Sequence, residues 1–240
     1  IFCKIVRKYR IMKRFFLLLI CLVGNFGFSQ KQYHFDYAML YDDVVKLNDT
    51  MSSNLHLVNS KDNSYGLFVS YNKDSTRVNL YFIQYDYTVA KFNLNKDLFF
   101  KAETINLDCN TARRYSNPYK YQTENYDFAI YNDTLLNDTL YNHYAIKSLK
   151  DIKYQKKKKI ITSHFITDKN SSDFTPFFYH TTIYNEWLEN KGKIPNGVIK
   201  ILYNINVKGE MTFKQQLNKL IKIDKYITIP EACDYTKFPK

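Results

Sequence analysis

Apolar residues that recur at every second position are the feature of this sequence that most constrains its fold. Ile199, Ile201, Tyr203, Ile205 and Val207 keep this spacing, which is typical of a strand with one buried and one solvated face. The same period recurs at Tyr33–Tyr41, Leu67–Tyr71, Val78–Phe82, Tyr144–Leu149, Ile160–Ile166 and Leu217–Ile229. The sequence therefore predicts many β-strands, with Tyr33, Phe35, Tyr37, Met39 and Tyr41 on one face of the first.

Short polar segments separate these strands. Asn72–Ser75, Asn93–Asp97 and Lys208–Glu210 carry turn residues, and the intervals fit antiparallel strands better than βαβ units. Leu98–Leu107 also reads as a strand, and Asn-Asp-Thr-Leu, which occurs at 132–135 and 137–140, reads as two turns. Pro176–Glu189 predicts a short helix that ends before Gly192. We expect a mainly β fold, an antiparallel curved sheet or open half-barrel with one or two short helices.

The segment Met12–Gln30 has the pattern of a secretory signal peptide. Lys13 and Arg14 precede an apolar run from Phe15 to Val23, which is too short to span a bilayer. We therefore predict a signal peptide at 12–29 and a single exported β-rich domain at 30–240, with residues 1–11 an upstream extension or a long n-region. The expected location is periplasmic, outer-membrane-associated or secreted.

The net charge does not indicate nucleic-acid binding. Six of the 35 Lys and Arg residues and none of the 23 Asp and Glu residues lie in 1–29, so the full charge of +12 falls to +6 for 30–240. A charge of that size favours solubility and anionic surfaces. Residues 30–240 contain no apolar stretch of about 20 residues, the length of a transmembrane helix.

Two cysteines, Cys109 and Cys233, follow the predicted signal peptide. In an oxidising compartment such a pair predicts one disulfide between the middle and the C-terminal end of the chain. The alternative is two separate buried thiols. Their spacing matches no CxxC motif, so no redox or zinc role is predicted.

Compact catalytic motifs are absent from the sequence. It contains no GxSxG, HExxH, P-loop or dinucleotide-binding pattern, so no catalytic residue, cofactor or metal is predicted. His143, His164 and His180 lie on neighbouring predicted strands and could converge as metal ligands or a base. Their spacing matches no ligand pattern, and strand-face residues are the simpler interpretation.

Several acidic residues in the middle of the chain could supply the catalytic carboxylates of a hydrolase. A pair of carboxylates facing each other across a cleft would suit glycoside hydrolysis. The alternative interpretation is that these are turn residues. The candidates are Glu124, Asp127, Asp133 and Asp138.

The densest charge run is Lys153 with Lys156, Lys157, Lys158 and Lys159. Such a basic patch could attract phosphates of lipid, lipopolysaccharide or another polyanion, an interaction that salt weakens. The alternative is that these lysines protect an edge strand or flank a hairpin.

Aromatic residues are abundant, with 22 Tyr and 18 Phe in the chain. Tyrosines on a concave sheet can bind sugars or acyl chains, although core packing needs the same residues. Tyr37, Tyr41 and Tyr203 are the candidate ligand-binding residues.

Trp187 and the segment Ile194-Pro195-Asn196-Gly197-Val198-Ile199, followed by a long strand, resemble the GLPGLI-type secreted proteins of Gram-negative bacteria. Phe28-Ser29-Gln30 shares the likeness, although Pro-Asn-Gly-Val-Ile replaces the full block. The resemblance implies an exported, antiparallel and half-barrel-like protein. It implies no activity and no catalytic residue.

The sequence predicts an exported, non-catalytic envelope protein that binds an apolar or amphipathic ligand, or another envelope component, on an aromatic-lined sheet. Expected partners are a lipid, a glycan or an envelope protein. One alternative is a secreted hydrolase that uses the clustered carboxylates. Another is an adhesion or assembly module that pairs through an edge strand.

Overall fold

One large β-sheet dominates the computed structural model, which describes residues 30–45, 52–70 and 75–237. Its strands are β1 Lys31–Val45, β2 Ser52–Val58, β3 Tyr65–Ser70, β4 Arg77–Gln84, β5 Thr88–Asn95, β6 Thr104–Asn106, β7 Ala112–Arg114, β8 Tyr126–Leu136, β9 Thr139–Ser148, β10 Ile161–Asp168, β11 Ile199–Asn206 and β12 Met211–Ile229. The helices are α1 Lys96–Lys101, α2 Ile152–Lys158 and α3 Thr181–Glu189, with 3-10 turns at Lys120–Asn125, Lys169–Ser171 and Glu231–Cys233. The predicted signal peptide at 12–29 and the segment 1–11 lie outside the described residues.

The strands form an open sheet in the order β7-β5-β4-β3-β2-β1-β12-β11-β10-β9-β8. Every pairing in this series is antiparallel, and only the short β6 pairs in parallel, with β12. Because β1 pairs with β12, the first and last long strands meet at the centre of the sheet. This arrangement confirms the predicted mainly β, antiparallel open fold with few short helices.

Within β1, alternating side chains change the face of the sheet on which they lie. Between Phe35 and Tyr37 the β1–β12 ladder shifts register, with one residue skipped on β1 and two on β12, and an irregularity of this kind can move the following side chains to the opposite face. Tyr33 and Phe35 consequently pack in one core, whereas Met39 and Tyr41 pack in another. The prediction that all five alternating residues of β1 share a face was therefore wrong.

We call the face that carries Met39, His56 and Phe68 the inner face, and the face that carries Leu57, Leu67 and Leu80 the outer face. On the outer face, α1 and the last 3-10 turn pack against the sheet, and Phe99 and Cys233 from these elements join the core. On the inner face, the segment 172–198 covers the sheet and divides its contacts between two cores.

Local capping explains one incorrect strand prediction. Lys96–Lys101, at the start of the segment expected as a strand, forms α1 because the Asn95 side chain accepts hydrogen bonds from the backbone N–H groups of Asp97 and Leu98. An asparagine at this position satisfies amides that a first helical turn otherwise leaves unpaired. The strand begins only at Thr104. The helix predicted within Pro176–Glu189 is confirmed as α3.

The repeated Asn-Asp-Thr-Leu motif has two different structures. Asn137 and Asp138 form the β8–β9 turn, each with a positive φ. Asn132–Leu135 instead lies within β8, at a register shift between Tyr131 and Thr134. The turn prediction was therefore right for the second copy and wrong for the first, where a bulge takes up the same residues.

Candidate functional site

A cavity of about 1070 Å³ lies on the inner face, between the sheet and the residues around the start of α3. Strands from both halves of the sheet contribute to its wall: β1–β5 on one side and β10–β12 on the other. Tyr179, His180, Thr181 and Ile183 line it from the covering segment. Small-molecule sites in proteins are concave spaces of this order of size.

The covering segment is fixed to the sheet by both packing and hydrogen bonds. The Phe177 ring occupies the space where a Cβ on Gly66 would stand, so only glycine permits this contact. The Asn63 side-chain amide donates to the Pro176 carbonyl at 2.7 Å. The Tyr85 hydroxyl donates to the Phe178 carbonyl. These contacts hold the cover over the cavity.

One part of the cavity wall is polar. The buried Asp43 carboxylate accepts hydrogen bonds from the side-chain amides of Asn54 and Gln215, the latter at 2.9 Å. All three residues line the cavity, as does Asn204, whose buried Oδ1 has no hydrogen-bond partner among the described residues. A buried acceptor without a partner is costly, so this wall offers a place for a polar ligand group.

Another part of the wall is aromatic. His56 packs against Phe68 with ring centroids 4.9 Å apart, and Phe68 contacts Tyr179 at 4.7 Å. Burial lowers the pKa of His56 to about 4, so its imidazole is neutral at neutral pH and has one nitrogen that can donate a hydrogen bond and one that can accept. Phe165 and Leu202 add apolar surface from the opposite strands. The cavity therefore combines an apolar wall with a polar one.

The three tyrosines predicted to bind ligand do not lie together. Tyr41 is buried beside the cavity and lines a small side pocket of about 20 Å³. Tyr37 packs against Phe174 at 5.4 Å, and Tyr203 lies on the outer face, stacked on His164 at 4.6 Å. Ligand binding by these tyrosines remains a prediction. The tyrosines that line the cavity are Tyr81, Tyr115 and Tyr179, which sequence reasoning missed.

Two of the three candidate histidines meet on the outer face. His143 Nε2 lies 3.0 Å from His164 Nδ1 and 3.3 Å from the Tyr203 hydroxyl. Burial lowers the pKa of both histidines, that of His164 to about 4. His180 instead occupies the residue position before α3, makes no side-chain capping hydrogen bond, and lines the cavity. Within the described ranges, no group of three or more His, Cys, Asp or Glu residues has the arrangement of a metal site.

The clustered carboxylates do not line the cavity. Glu124 lies in a 3-10 turn, Asp127 and Asp133 on β8, and Asp138 in the β8–β9 turn, all exposed. Asp133 forms an ion pair with Lys169. Asp138 lies in a turn, as the alternative interpretation expected, whereas Asp127 and Asp133 lie on a strand.

The lysine run lies on and just after α2, in the connection between β9 and β10. Neither strand is an edge, because β9 pairs with β8 and β10, and β10 pairs with β9 and β11. These lysines therefore do not protect an edge strand, but they flank the hairpin that β9 and β10 form, which is the other form of that interpretation. Lys153, Lys156, Lys157, Lys158 and Lys159 are all exposed.

Cys109 and Cys233 form a disulfide, with Cα atoms 5.5 Å apart and a sequence separation of 124. The bond joins the loop before β7 to the last 3-10 turn, next to the outer-face core that contains Cys233. Of the two alternatives that the sequence left open, the structure has the disulfide.

No helix within the described part of the chain is both long enough and apolar enough to cross a bilayer.

No family model and no curated protein matches the chain. Among solved structures, it is similar to MucB in the MucA/MucB complex of Pseudomonas aeruginosa, with a TM-score of 0.40 and 7% identity over 78% of this chain and 51% of that one. The chain thus spans about half the length of that protein. An uncharacterised conserved protein of Thermus thermophilus has a TM-score of 0.42 and 6% identity, over 86% of both chains.

A putative outer membrane lipoprotein-sorting protein domain of Vibrio parahaemolyticus has a TM-score of 0.30 and 9% identity, over 78% of this chain and 85% of that one. These low scores and identities assign neither a family nor an activity to the chain. The resemblance to GLPGLI-type proteins remains a prediction.

Proposed function

We propose that the protein is an exported, non-catalytic binding protein, a single domain over residues 30–240, that holds an amphipathic ligand in the inner-face cavity. The observation that carries this proposal is the composition of the cavity wall. Asp43, Gln215 and Asn204 offer hydrogen bonds on one part, whereas Phe68 and Phe165 offer apolar surface on another. Such a ligand presents one polar end and one apolar body.

The size and electrostatics of the cavity support a lipid-like or glycolipid-like ligand. A volume of about 1070 Å³ exceeds what one small metabolite fills. Lys91, with its Nζ 5.3 Å from the centre of the Tyr81 ring, places a positive charge at the wall. An anionic head group near Lys91, with an acyl chain along Phe68 and Phe165, satisfies both features.

The first test is native mass spectrometry of the protein purified from its native host, followed by lipid extraction. We expect a co-purifying amphipathic molecule, and titration of the delipidated protein with a fluorescent fatty acid should give saturable binding. A protein that is bare after gentle purification and gives no saturable titration would contradict the proposal.

A pair of exposed asparagines gives a matched test of the binding place. Asn79 lies on β4 and lines the cavity, whereas Asn132 lies on β8 and does not. Both side chains are exposed, so tryptophan at either position should leave folding intact. We expect Asn79→Trp to weaken fatty-acid binding about tenfold or more, since a steric block removes ligand contacts. Asn132→Trp should bind as the parent does.

One observation also favours the assembly alternative. β8 forms an end of the sheet, and on its far side no described strand pairs with it. It is 11 residues long and exposes Ile130 and Leu135 by 60% and 62%. A long apolar edge of this kind can pair with a second copy of the chain.

Sedimentation velocity over a range of concentrations tests this second candidate. Pairing of two β8 strands predicts a concentration-dependent dimer that Ile130→Lys abolishes. Leu98→Lys is the control, because Leu98 is similarly exposed but lies on α1. A parent protein that stays monomeric at high concentration excludes self-assembly through this edge.

A further inference from the structure

The connection between β9 and β10 concentrates positive charge on one exposed element. Residues 147–159, which run from the end of β9 through α2, contain seven lysines and a single acidic residue, Asp151. The lysines are Lys147, Lys150, Lys153, Lys156, Lys157, Lys158 and Lys159. No residue of α2 is buried, so core packing accounts for neither the helix nor its composition. We call residues 147–159 the basic connection.

The charge of the basic connection is not neutralised within the described protein. None of the ion pairs between described residues involves any of its seven lysines. The Asp151 carboxylate caps α2 by accepting a hydrogen bond from the Tyr154 backbone N–H at 2.8 Å. Like charges this close in sequence repel one another, and an anionic surface relieves that repulsion.

Apolar side chains are exposed on the same element. Leu149, Ile152 and Tyr154 are exposed by 59%, 56% and 42%. Solubility explains exposed lysines but does not explain large apolar side chains among them. The interface of an anionic bilayer accommodates both, because lysines attract the head groups while aliphatic and tyrosyl side chains enter the interfacial layer.

The basic connection also lies near the cavity in the sequence. Ser163, four residues after Lys159, lines the cavity from β10. We propose that the basic connection docks the protein on the surface of an anionic phospholipid bilayer, next to the cavity. Docking through this surface does not depend on whether the cavity holds the proposed ligand.

Vesicle co-sedimentation tests the inference directly. The probes are vesicles of phosphatidylcholine with about one-third phosphatidylglycerol, and vesicles of phosphatidylcholine alone, at low and high salt. We expect binding only to the anionic vesicles and a loss of binding at high salt. Lys156→Gln/Lys157→Gln/Lys158→Gln should lower the partition coefficient onto anionic vesicles at least about tenfold, because each lysine near an anionic surface contributes separately to the binding free energy.

Two further variants distinguish membrane docking through the basic connection from general charge attraction and from binding to a soluble polyanion. Lys193→Gln/Lys208→Gln/Lys219→Gln removes the same charge from exposed positions elsewhere and should weaken binding far less. Leu149→Ser/Ile152→Ser keeps every lysine and should still weaken binding, which binding to a soluble polyanion does not require. Equal loss in the two lysine variants, or no loss in the apolar one, overturns the proposal. Fatty-acid titration of the same variants should be unchanged, so the two proposals fail independently.

Discussion

The two halves of the sheet differ in how many of their faces are covered. In the N-terminal half, β1–β5, hydrophobic cores lie on both faces, and β3 is buried at five of its six positions. In the C-terminal half, β8–β11, the core lies on the inner face, and the outer face carries the partly exposed cluster of His143, His164 and Tyr203. The protein thus combines a region that is covered on both faces with a region whose outer face is partly exposed to solvent.

Coverage alone does not decide how clearly a strand appears in the sequence. β1, β3 and β4 keep an alternating apolar pattern although hydrophobic cores lie on both of their faces. In β11, Leu202 and Asn204 line the cavity, whereas Tyr203, from the alternating apolar set, lies on the outer face. The apolar period therefore indicates a strand but does not show which of its faces is buried.

The largest expected effect is the removal of an aromatic side chain from the doubly covered half. Phe82 is fully buried in the outer-face core, 4.8 Å from the Tyr33 ring. Phe82→Ala should lower the free energy of unfolding by about 3–5 kcal/mol, through lost burial and the resulting cavity. Tyr131→Ala, on the exposed outer face of the other half, should cost about 1 kcal/mol or less. Urea denaturation measures both, and equal costs would remove the distinction between the halves.

The disulfide provides the next largest effect. Because Cys109 and Cys233 close a long loop beside the outer-face core, Cys109→Ser/Cys233→Ser should lower the free energy of unfolding by about 3–4 kcal/mol. Denaturation of the parent protein with and without a reductant should show the same difference. Mass spectrometry of exported material that finds two free thiols would contradict the bond itself.

The sequence predicted the strand periods and the open antiparallel architecture because those depend on local pattern. It missed the change of face within β1 because no residue type marks the register shift between Phe35 and Tyr37. It missed the polar wall of the cavity for a different reason: Asp43 and Gln215, which share a hydrogen bond, are 172 residues apart. Only the pairing of β1 with β12 brings them together, and periodicity contains no information about partners.

Acid should destabilise the protein through buried histidines in both halves. Burial lowers the pKa of His56, on the inner face, and of His164, on the outer face, each to about 4. In the unfolded chain these histidines bind protons near pH 6.5. The contribution of the two neutral histidines to the free energy of unfolding is therefore complete above that pH and is lost as the pH falls towards 4. His56 should account for about 2–3 kcal/mol of this loss. Urea midpoints between pH 7 and 4 measure it, and His56→Phe should flatten the dependence.

Glu186 provides a control of opposite sign. Burial raises the pKa of its carboxyl to about 7, with Glu189 adding to the shift. Its cost to folding is therefore greatest above pH 7 and disappears as pH falls through 7 towards 4.5. Glu186→Gln should raise stability at pH 8 and make the acid loss steeper. If the urea midpoint of His56→Phe falls with pH as that of the parent does, the loss of stability in acid belongs to other groups such as His164.

The smallest effects come from the two side chains that cap the short helices. Asn95 caps α1, whose Phe99 packs in the outer-face core, and Asp151 caps α2, which buries nothing. Asn95→Ala should lower the free energy of unfolding by about 1 kcal/mol, since α1 unfolds with the doubly covered half. Asp151→Ala should change it by less than about 0.5 kcal/mol, because fraying of α2 is a local event that leaves the sheet intact. Hydrogen exchange should then show faster exchange in α2 alone. A global loss from Asp151→Ala would mean that α2 is packed more tightly than its exposure indicates.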